Sequence, residues 1–158
     1  MNASLLYSLA AVAMIPVGAI SAVSAVGESP NRQVLSMVEI VQGLEKEGYG
    51  PFAELSRDDG RWEVEARKGN ESLELTVDPL TGKVLSQHRD DPEQAPPAES
   101  MALSKLLQSV LDHGSYRNFE EVSFERRYWE IEIYKDGQKR ELHVDPITAK
   151  VIADRIDD

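Results

Sequence analysis

The chain contains no cysteine, which excludes disulfides, thiolate nucleophiles and thiolate metal sites. Basic residues are also scarce, since 17 Lys and Arg stand against 28 Asp and Glu and give a formal net charge of −11. Nucleic acid is therefore not an expected partner, because binding it depends on a basic surface. The same negative charge disfavours a stable interaction with anionic lipid headgroups.

The common catalytic and ligand-binding motifs are absent as well. The sequence has no G-x-S-x-G nucleophile elbow, no phosphate-binding G-x-x-x-x-G-K and no D-x-[DN]-x-[DN]-G calcium loop. The only histidines are His88, His113 and His143, and their spacing is not that of metal ligands. The sequence thus predicts no catalytic residue, no metal site and no cofactor, and the protein is expected not to be an enzyme.

The first 27 residues carry no charged side chain. An apolar run from Leu5 to Ile15 is followed by Val23-Ser24-Ala25, whose small residues suit cleavage after Ala25. We therefore predict that residues 1–25 are a signal peptide and that the mature protein is periplasmic or secreted. The alternative is an uncleaved membrane anchor, because the segment from Leu5 to Val26 is long enough to span a bilayer.

The chain contains the same block twice. Residues 34–91 align without a gap with residues 101–158, at a constant offset of 67, and over residues 62–91 14 of 30 positions are identical. We predict repeat 1 at residues 29–91 and repeat 2 at residues 99–158. The proline-rich segment between them, residues 92–98, is predicted to be an extended linker.

Each repeat is predicted to begin with one amphipathic helix, at about residues 30–47 and 99–112. Ser29-Pro30 is the expected start of the first helix, and the first strands are expected at residues 52–58 and 119–126. The next strand alternates apolar and charged residues in both copies, which places one set inward and the other outward. The predicted fold class is α+β, as two tandem repeats that each pack one helix on a small antiparallel sheet (α-β-β-β-β). Whether the two sheets join is left open.

Most of the residues that the repeats share have structural explanations. Trp62 and Trp129 alternate with aliphatic residues and are predicted to be core residues beneath the helices. A shared turn follows the third strand. Proline presets φ at the first turn position, and the Asp and Thr side chains can accept hydrogen bonds from nearby backbone N–H groups. Its residues are Asp78, Pro79, Thr81 and Gly82 in repeat 1, and Asp145, Pro146 and Thr148 in repeat 2, with Ala149 in place of the glycine.

An amphipathic helix ending in Gly-Tyr, a W-E-V-E-A strand and a V-D-P-x-T-G-K-V turn together resemble the PepSY domain family. The resemblance covers both copies. It implies a small extracytoplasmic α+β module that binds or inhibits proteases or modulates neighbouring domains. Because this chain shows no attached peptidase segment, the resemblance implies that the target is a separate protein.

The shared glutamates are the candidate partner-facing residues. Glu63 and Glu65, and their counterparts Glu130 and Glu132, occupy outward strand positions. Such carboxylates could also run acid–base chemistry or hold a calcium-type ion, although the sequence offers no converging constellation. The predicted function is a non-catalytic exported module that modulates or inhibits an extracytoplasmic enzyme such as a protease. The alternatives are a structural or envelope-stress interaction protein, an acidic metal-binding protein or a hydrolase.

Overall fold

The structure of the chain is a computed structural model, which describes residues 33–157. The described residues form two helices, α1 (Met37–Lys46) and α2 (Leu103–His113). They also form eight strands: β1 (Phe52–Asp58), β2 (Arg61–Lys68), β3 (Glu71–Val77), β4 (Val84–Arg89), β5 (Tyr116–Glu125), β6 (Tyr128–Lys135), β7 (Gln138–Val144) and β8 (Val151–Ile156). The α+β prediction, with one helix and four antiparallel strands in each repeat, is confirmed.

The strands of both repeats belong to one continuous antiparallel sheet with the order β4-β3-β2-β1-β5-β6-β7-β8. The repeats meet where β1 pairs with β5, through Glu54 opposite Ser123 and Leu55 opposite Val122. The structure thus answers the question that the sequence leaves open, because the two four-stranded sheets join edge to edge.

The helices begin later than predicted. Residues 33–36 are not helical, and α1 starts at Met37 because Ser36 and Glu39 form a reciprocal capping box. Glu39 N donates to Ser36 Oγ (3.3 Å), and Ser36 N donates to Glu39 Oε2 (2.8 Å). Ser-x-x-Glu is a known start signal that defines the helix here, whereas the predicted start at Ser29-Pro30 lies outside the described residues.

The second repeat shows two smaller differences from its predicted boundaries. Helix α2 starts at Leu103 rather than at residue 99, behind an Ala102 N-cap that offers no side-chain hydrogen bond. Strand β5 begins at Tyr116 instead of residue 119, and its pairing with β6 shifts register on both sides of Phe119. Within residues 33–157, no helix is both long and apolar enough to cross a bilayer.

One hydrophobic core, on one face of the sheet, unites both helices with the inward strand residues of both repeats. Trp62 and Trp129 are each only 1% exposed, as their alternation with aliphatic residues predicts. A tyrosine after each helix is also buried, and its hydroxyl donates to a side chain of the last strand of its repeat. These bonds run from Tyr49 to Gln87 Oε1 (3.1 Å) and from Tyr116 to Asp154 Oδ2 (2.9 Å).

The shared turn connects the sheet to the start of each helix. Asp78 Oδ1 accepts from Thr81 N (2.8 Å), and Asp145 Oδ1 accepts from Thr148 N (2.8 Å). The proline that follows each aspartate accepts a backbone bond of 2.8 Å from the segment before the helix, from Leu35 N to Pro79 O and from Met101 N to Pro146 O. The turn therefore has a structural role in both repeats.

Candidate functional site: the glutamate face

The face of the sheet opposite the core carries four glutamates that both repeats share, and we call this surface the glutamate face. Strand alternation turns these side chains away from the buried residues, and no helix of the described residues lies over them. The members are Glu54, Glu63, Glu65 and Glu74, and, at an offset of 67, Glu121, Glu130, Glu132 and Glu141. All are partly buried except Glu74, which is exposed.

In each repeat, three of these glutamates stand directly opposite one another on neighbouring strands. Glu54 pairs with Glu65, and Glu65 pairs with Glu74. The second repeat reproduces this row as Glu121, Glu132 and Glu141. Like charges in directly opposed positions destabilise a sheet. The row therefore reduces the stability of the sheet in both repeats.

The electrostatics of the face reflect this crowding. Burial, followed by repulsion from Glu54 and then Glu93, raises the pKa of Glu65 to about 7. Burial and repulsion from Glu54 also raise the pKa of Glu121 above its usual range. A carboxylate so placed is stabilised by any positive charge brought close to it.

The two rows differ in their counter-charges. In repeat 2, Lys139 Nζ lies 2.6 Å from Glu132 Oε2, and Arg155 Nη1 lies 3.9 Å from Glu141 Oε1. In repeat 1, no lysine or arginine within residues 33–157 forms an ion pair with the Glu54, Glu65 and Glu74 row. The negative charge of repeat 1 is therefore the less neutralised of the two.

The structure brings the four predicted partner-facing residues together on one surface. Glu65 and Glu132 are the centres of the two rows, whereas Glu63 and Glu130 lie beside them opposite Ser56 and Ser123. Sequence reasoning missed Glu54 and Glu121, which complete the rows. The available signal was their equivalence at the repeat offset within predicted first strands, but their register depends on a bulge at the start of β1.

The three histidines have different environments. His88 is exposed at the edge of the face, opposite Glu74. His113 ends α2, where its Nδ1 lies 2.8 Å from the carbonyl oxygen of Ser109. Because that nitrogen must donate to the carbonyl, it cannot also accept a proton from the nearby Ser109 hydroxyl, and the pair is not a nucleophile with its base.

His143 lies beside two carboxylates of the glutamate face. Its Nε2 lies 2.9 Å from Glu141 Oε1 and 3.6 Å from Glu130 Oε2. One ligand atom from each of these three residues falls within 4.8 Å of the others. Sequence spacing could not reveal this group, because Glu130 and His143 meet only through the register of β6 and β7.

The depression on the glutamate face is smaller than a typical small-molecule site. The depression among Glu54, Glu63, Glu65 and Glu74 has a volume of about 40 Å³, whereas small-molecule sites enclose about 300–1,000 Å³. Three larger clefts have volumes of about 430, 560 and 640 Å³. His113 lines the first of them, Trp62 the second and Trp129 the third.

The fold and the face together define a duplicated α+β module with an acidic, open sheet surface. Residues 6–88 and residues 90–155 each match the family model of the peptidase propeptide and YPEB domain, PepSY. The chain therefore belongs to this family, and the resemblance to two tandem PepSY copies is confirmed.

Other comparisons add only distant similarities. The chain is similar to the structure of a candidate lipoprotein from Clostridium difficile 630, at 16% identity over 75% of this chain and 90% of that one, with a TM-score of 0.45. It is also similar to a BLIP-like protein from Bacteroides fragilis NCTC 9343, at 11% identity over 78% of this chain and 88% of that one, with a TM-score of 0.31. A search of curated protein sequences finds no match.

Proposed function

We propose that this protein is a non-catalytic exported binding module that modulates or inhibits an extracytoplasmic enzyme such as a protease. Membership of a family described by peptidase propeptides supports a peptidase as the class of partner. The uncharged segment before residue 28, with its Val23-Ser24-Ala25 site, supports export to the periplasm or beyond.

The observation that carries the proposal is the row of Glu54, Glu65 and Glu74, which has three directly opposed carboxylates and no ion pair to a lysine or arginine in residues 33–157. A partner that presents lysine or arginine side chains to this row would relieve repulsion that the free protein must bear. Complementary charge of this kind increases the rate of association and selects against acidic partners. The expected partner surface is therefore basic.

The geometry also supports binding rather than turnover. The carboxylates lie on an open sheet face, around a depression too small to enclose a substrate. Acid–base pairs act when different environments separate their pKa values inside a site that excludes water. The open sheet face around this row is instead a surface on which another protein can dock.

An inhibition assay tests the proposal. The mature protein is added to the protease fraction of the envelope and medium of the producing cells, and hydrolysis of labelled casein is followed. We expect slower hydrolysis, and we expect inhibition to weaken about tenfold or more in the variant Glu54→Gln/Glu65→Gln/Glu74→Gln, because each lost charge removes an attraction to the basic partner. Added salt should weaken the wild-type effect by screening.

A matched control removes the same charge elsewhere, through Glu47→Gln, Glu99→Gln and Asp112→Asn, which are exposed and lie outside the glutamate face. This control should inhibit like the wild type. Equal potency of the face variant and the wild type would overturn the glutamate face as the binding surface. Hydrolysis of casein by the purified protein alone would overturn the non-catalytic assignment.

A further inference from the structure

We propose that Glu130, Glu141 and His143 form a site for one divalent transition-metal ion of the zinc class. The three residues lie on the glutamate face of repeat 2, on the paired strands β6 and β7. Glu130 stands directly opposite His143, and Glu141 lies two residues before His143 on the same face of β7. Two central strands of the sheet therefore hold all three side chains.

The distances between the ligand atoms suit a small metal ion. Zinc binds histidine nitrogen and carboxylate oxygen at about 2.0–2.2 Å in tetrahedral sites, which places neighbouring ligand atoms about 3.3–3.5 Å apart. His143 Nε2 lies 2.9 Å from Glu141 Oε1 and 3.6 Å from Glu130 Oε2. These two separations bracket the tetrahedral value. All three ligand atoms lie within 4.8 Å of one another, so the two carboxylates close around a zinc ion by side-chain rotation.

The donor atoms select the class of metal. One imidazole nitrogen with two carboxylate oxygens favours zinc and similar first-row ions, whereas calcium and magnesium prefer all-oxygen ligands. The three residues provide three protein ligands, so a tetrahedral ion would keep one position for water or for a group of a bound partner. An ion there would also link two carboxylates that otherwise repel each other.

The surroundings of His143 fix the direction of its ring. The ring stacks on Tyr128 with 4.1 Å between centroids and an interplanar angle of 18°, and the His143 side chain is only 14% exposed. The nearest competing cation is Arg155, 3.9 Å from Glu141, with a side chain that is 67% exposed and free to turn away.

The first repeat is an internal comparison. Glu63 and Glu74 occupy the positions that correspond to Glu130 and Glu141, but Thr76 stands where repeat 2 has His143. Repeat 1 thus keeps the carboxylates and lacks the nitrogen ligand. The metal site belongs to repeat 2 alone, and it is separate from the uncompensated row of repeat 1 on which the proposed function rests.

Isothermal titration of the metal-free full-length protein with zinc chloride tests the site directly, with no partner protein present. We expect one saturable equivalent of zinc, and we expect His143→Thr, which installs the residue of repeat 1, to weaken binding by more than about tenfold. Glu130→Gln should also weaken binding. His88→Thr removes an exposed histidine at the far edge of the same face and should leave the affinity unchanged.

A gain-of-function variant tests the same ligand set without relying on a loss of binding, which misfolding could also cause. Thr76→His places an imidazole opposite Glu63 and two residues after Glu74, so the zinc stoichiometry should rise from one towards two. Absence of saturable zinc binding by the wild type, or unchanged affinity in His143→Thr, would overturn the site. In that case His143 serves only as a hydrogen-bond partner of Glu141. Failure of casein inhibition with intact zinc binding would overturn only the proposed function.

Discussion

At the scale of single residues, the one position of the turn signature that differs between the repeats, Gly82 or Ala149, shows how the same backbone conformation is strained differently. Gly82 has φ of +68° and Ala149 has φ of +58°, so both turns need the left-handed conformation. Glycine adopts that conformation without strain, whereas alanine does so at a cost of about 1 kcal/mol. The two repeats therefore fold the same turn with different local strain.

Gly82→Ala should therefore destabilise the protein by about 1 kcal/mol, an amount that the lower entropy of the unfolded alanine chain partly offsets. The new methyl group would meet Leu35 Cδ1 at 3.4 Å, which is an ordinary contact. Ala149→Gly should have a smaller effect, because the strain it relieves is balanced by the loss of a methyl group from a residue only 8% exposed. Urea denaturation measures both variants. A stabilising Gly82→Ala would show that the turn does not require glycine.

The raised pKa of Glu65 predicts how the stability of the protein depends on pH. Its pKa is raised from 4.5 to about 7 in the folded protein, so the folded state holds a proton that the unfolded state has released between these two values. The contribution of Glu65 to the free energy of unfolding is fully present below about pH 4.5 and is lost as the pH rises to about 7. Glu65→Gln should therefore raise the melting temperature more at pH 8 than at pH 5.

The control for this experiment is Glu99→Gln, which removes an exposed charge from the segment before α2. It should change the melting temperature by a similar small amount at both pH values. If Glu65→Gln behaves in the same way, the repulsion within the row of Glu54, Glu65 and Glu74 is weaker than the structure indicates.

At the scale of elements, the two helices differ in the side-chain capping that their N-cap residues provide. Ser36 caps α1 through its side chain, whereas Ala102, in a similar extended conformation, has no side chain that could cap α2. Ser36→Ala should reduce the free energy of unfolding by about 1 kcal/mol, because it leaves a helix N–H without its partner. The reciprocal Ala102→Ser should increase it. Urea denaturation measures both, and no loss in Ser36→Ala would contradict the capping role.

The elements also show what the sequence could predict. Periodicity identified both helices and the direction of the Trp62 and Trp129 strands, because these patterns are local. The predicted start of α1 is wrong because Ser29-Pro30 has the residue types of a helix start, whereas the Ser36–Glu39 capping box, also visible in the sequence, sets the start. The outward direction of Glu65 was predictable, but its pairing with Glu54 was not, since bulges change register in ways that alternation does not reveal.

At the scale of the whole molecule, the continuous sheet and the shared core join two repeats that are each near the lower size limit for an independent domain. Sequence alone could not predict the β1–β5 pairing, because it depends on contact between residues far apart in the chain. The same long-range pairing brings the glutamates of both repeats onto one face.

This architecture predicts that the protein unfolds in a single transition. Trp62→Ala and Trp129→Ala should each destabilise the whole protein by about 3–5 kcal/mol, because each removes a fully buried side chain from one core. Circular dichroism and the fluorescence of the remaining tryptophan should report the same midpoint in guanidinium. Two separate midpoints would show that the repeats unfold independently.

The junction of the sheet has one further consequence, because Leu55 pairs with Val122 and these two residues are equivalent at the repeat offset of 67. A pseudo-twofold axis therefore passes between them, and the junction is isologous in the same sense as the interface of a symmetric homodimer. A single repeat could build the same eight-stranded sheet by dimerising through its first strand. In such a homodimer every surface residue would occur twice. Fusion of the two copies into one chain removes that constraint, and it is this freedom that allows His143 to differ from Thr76 on a face that is otherwise duplicated.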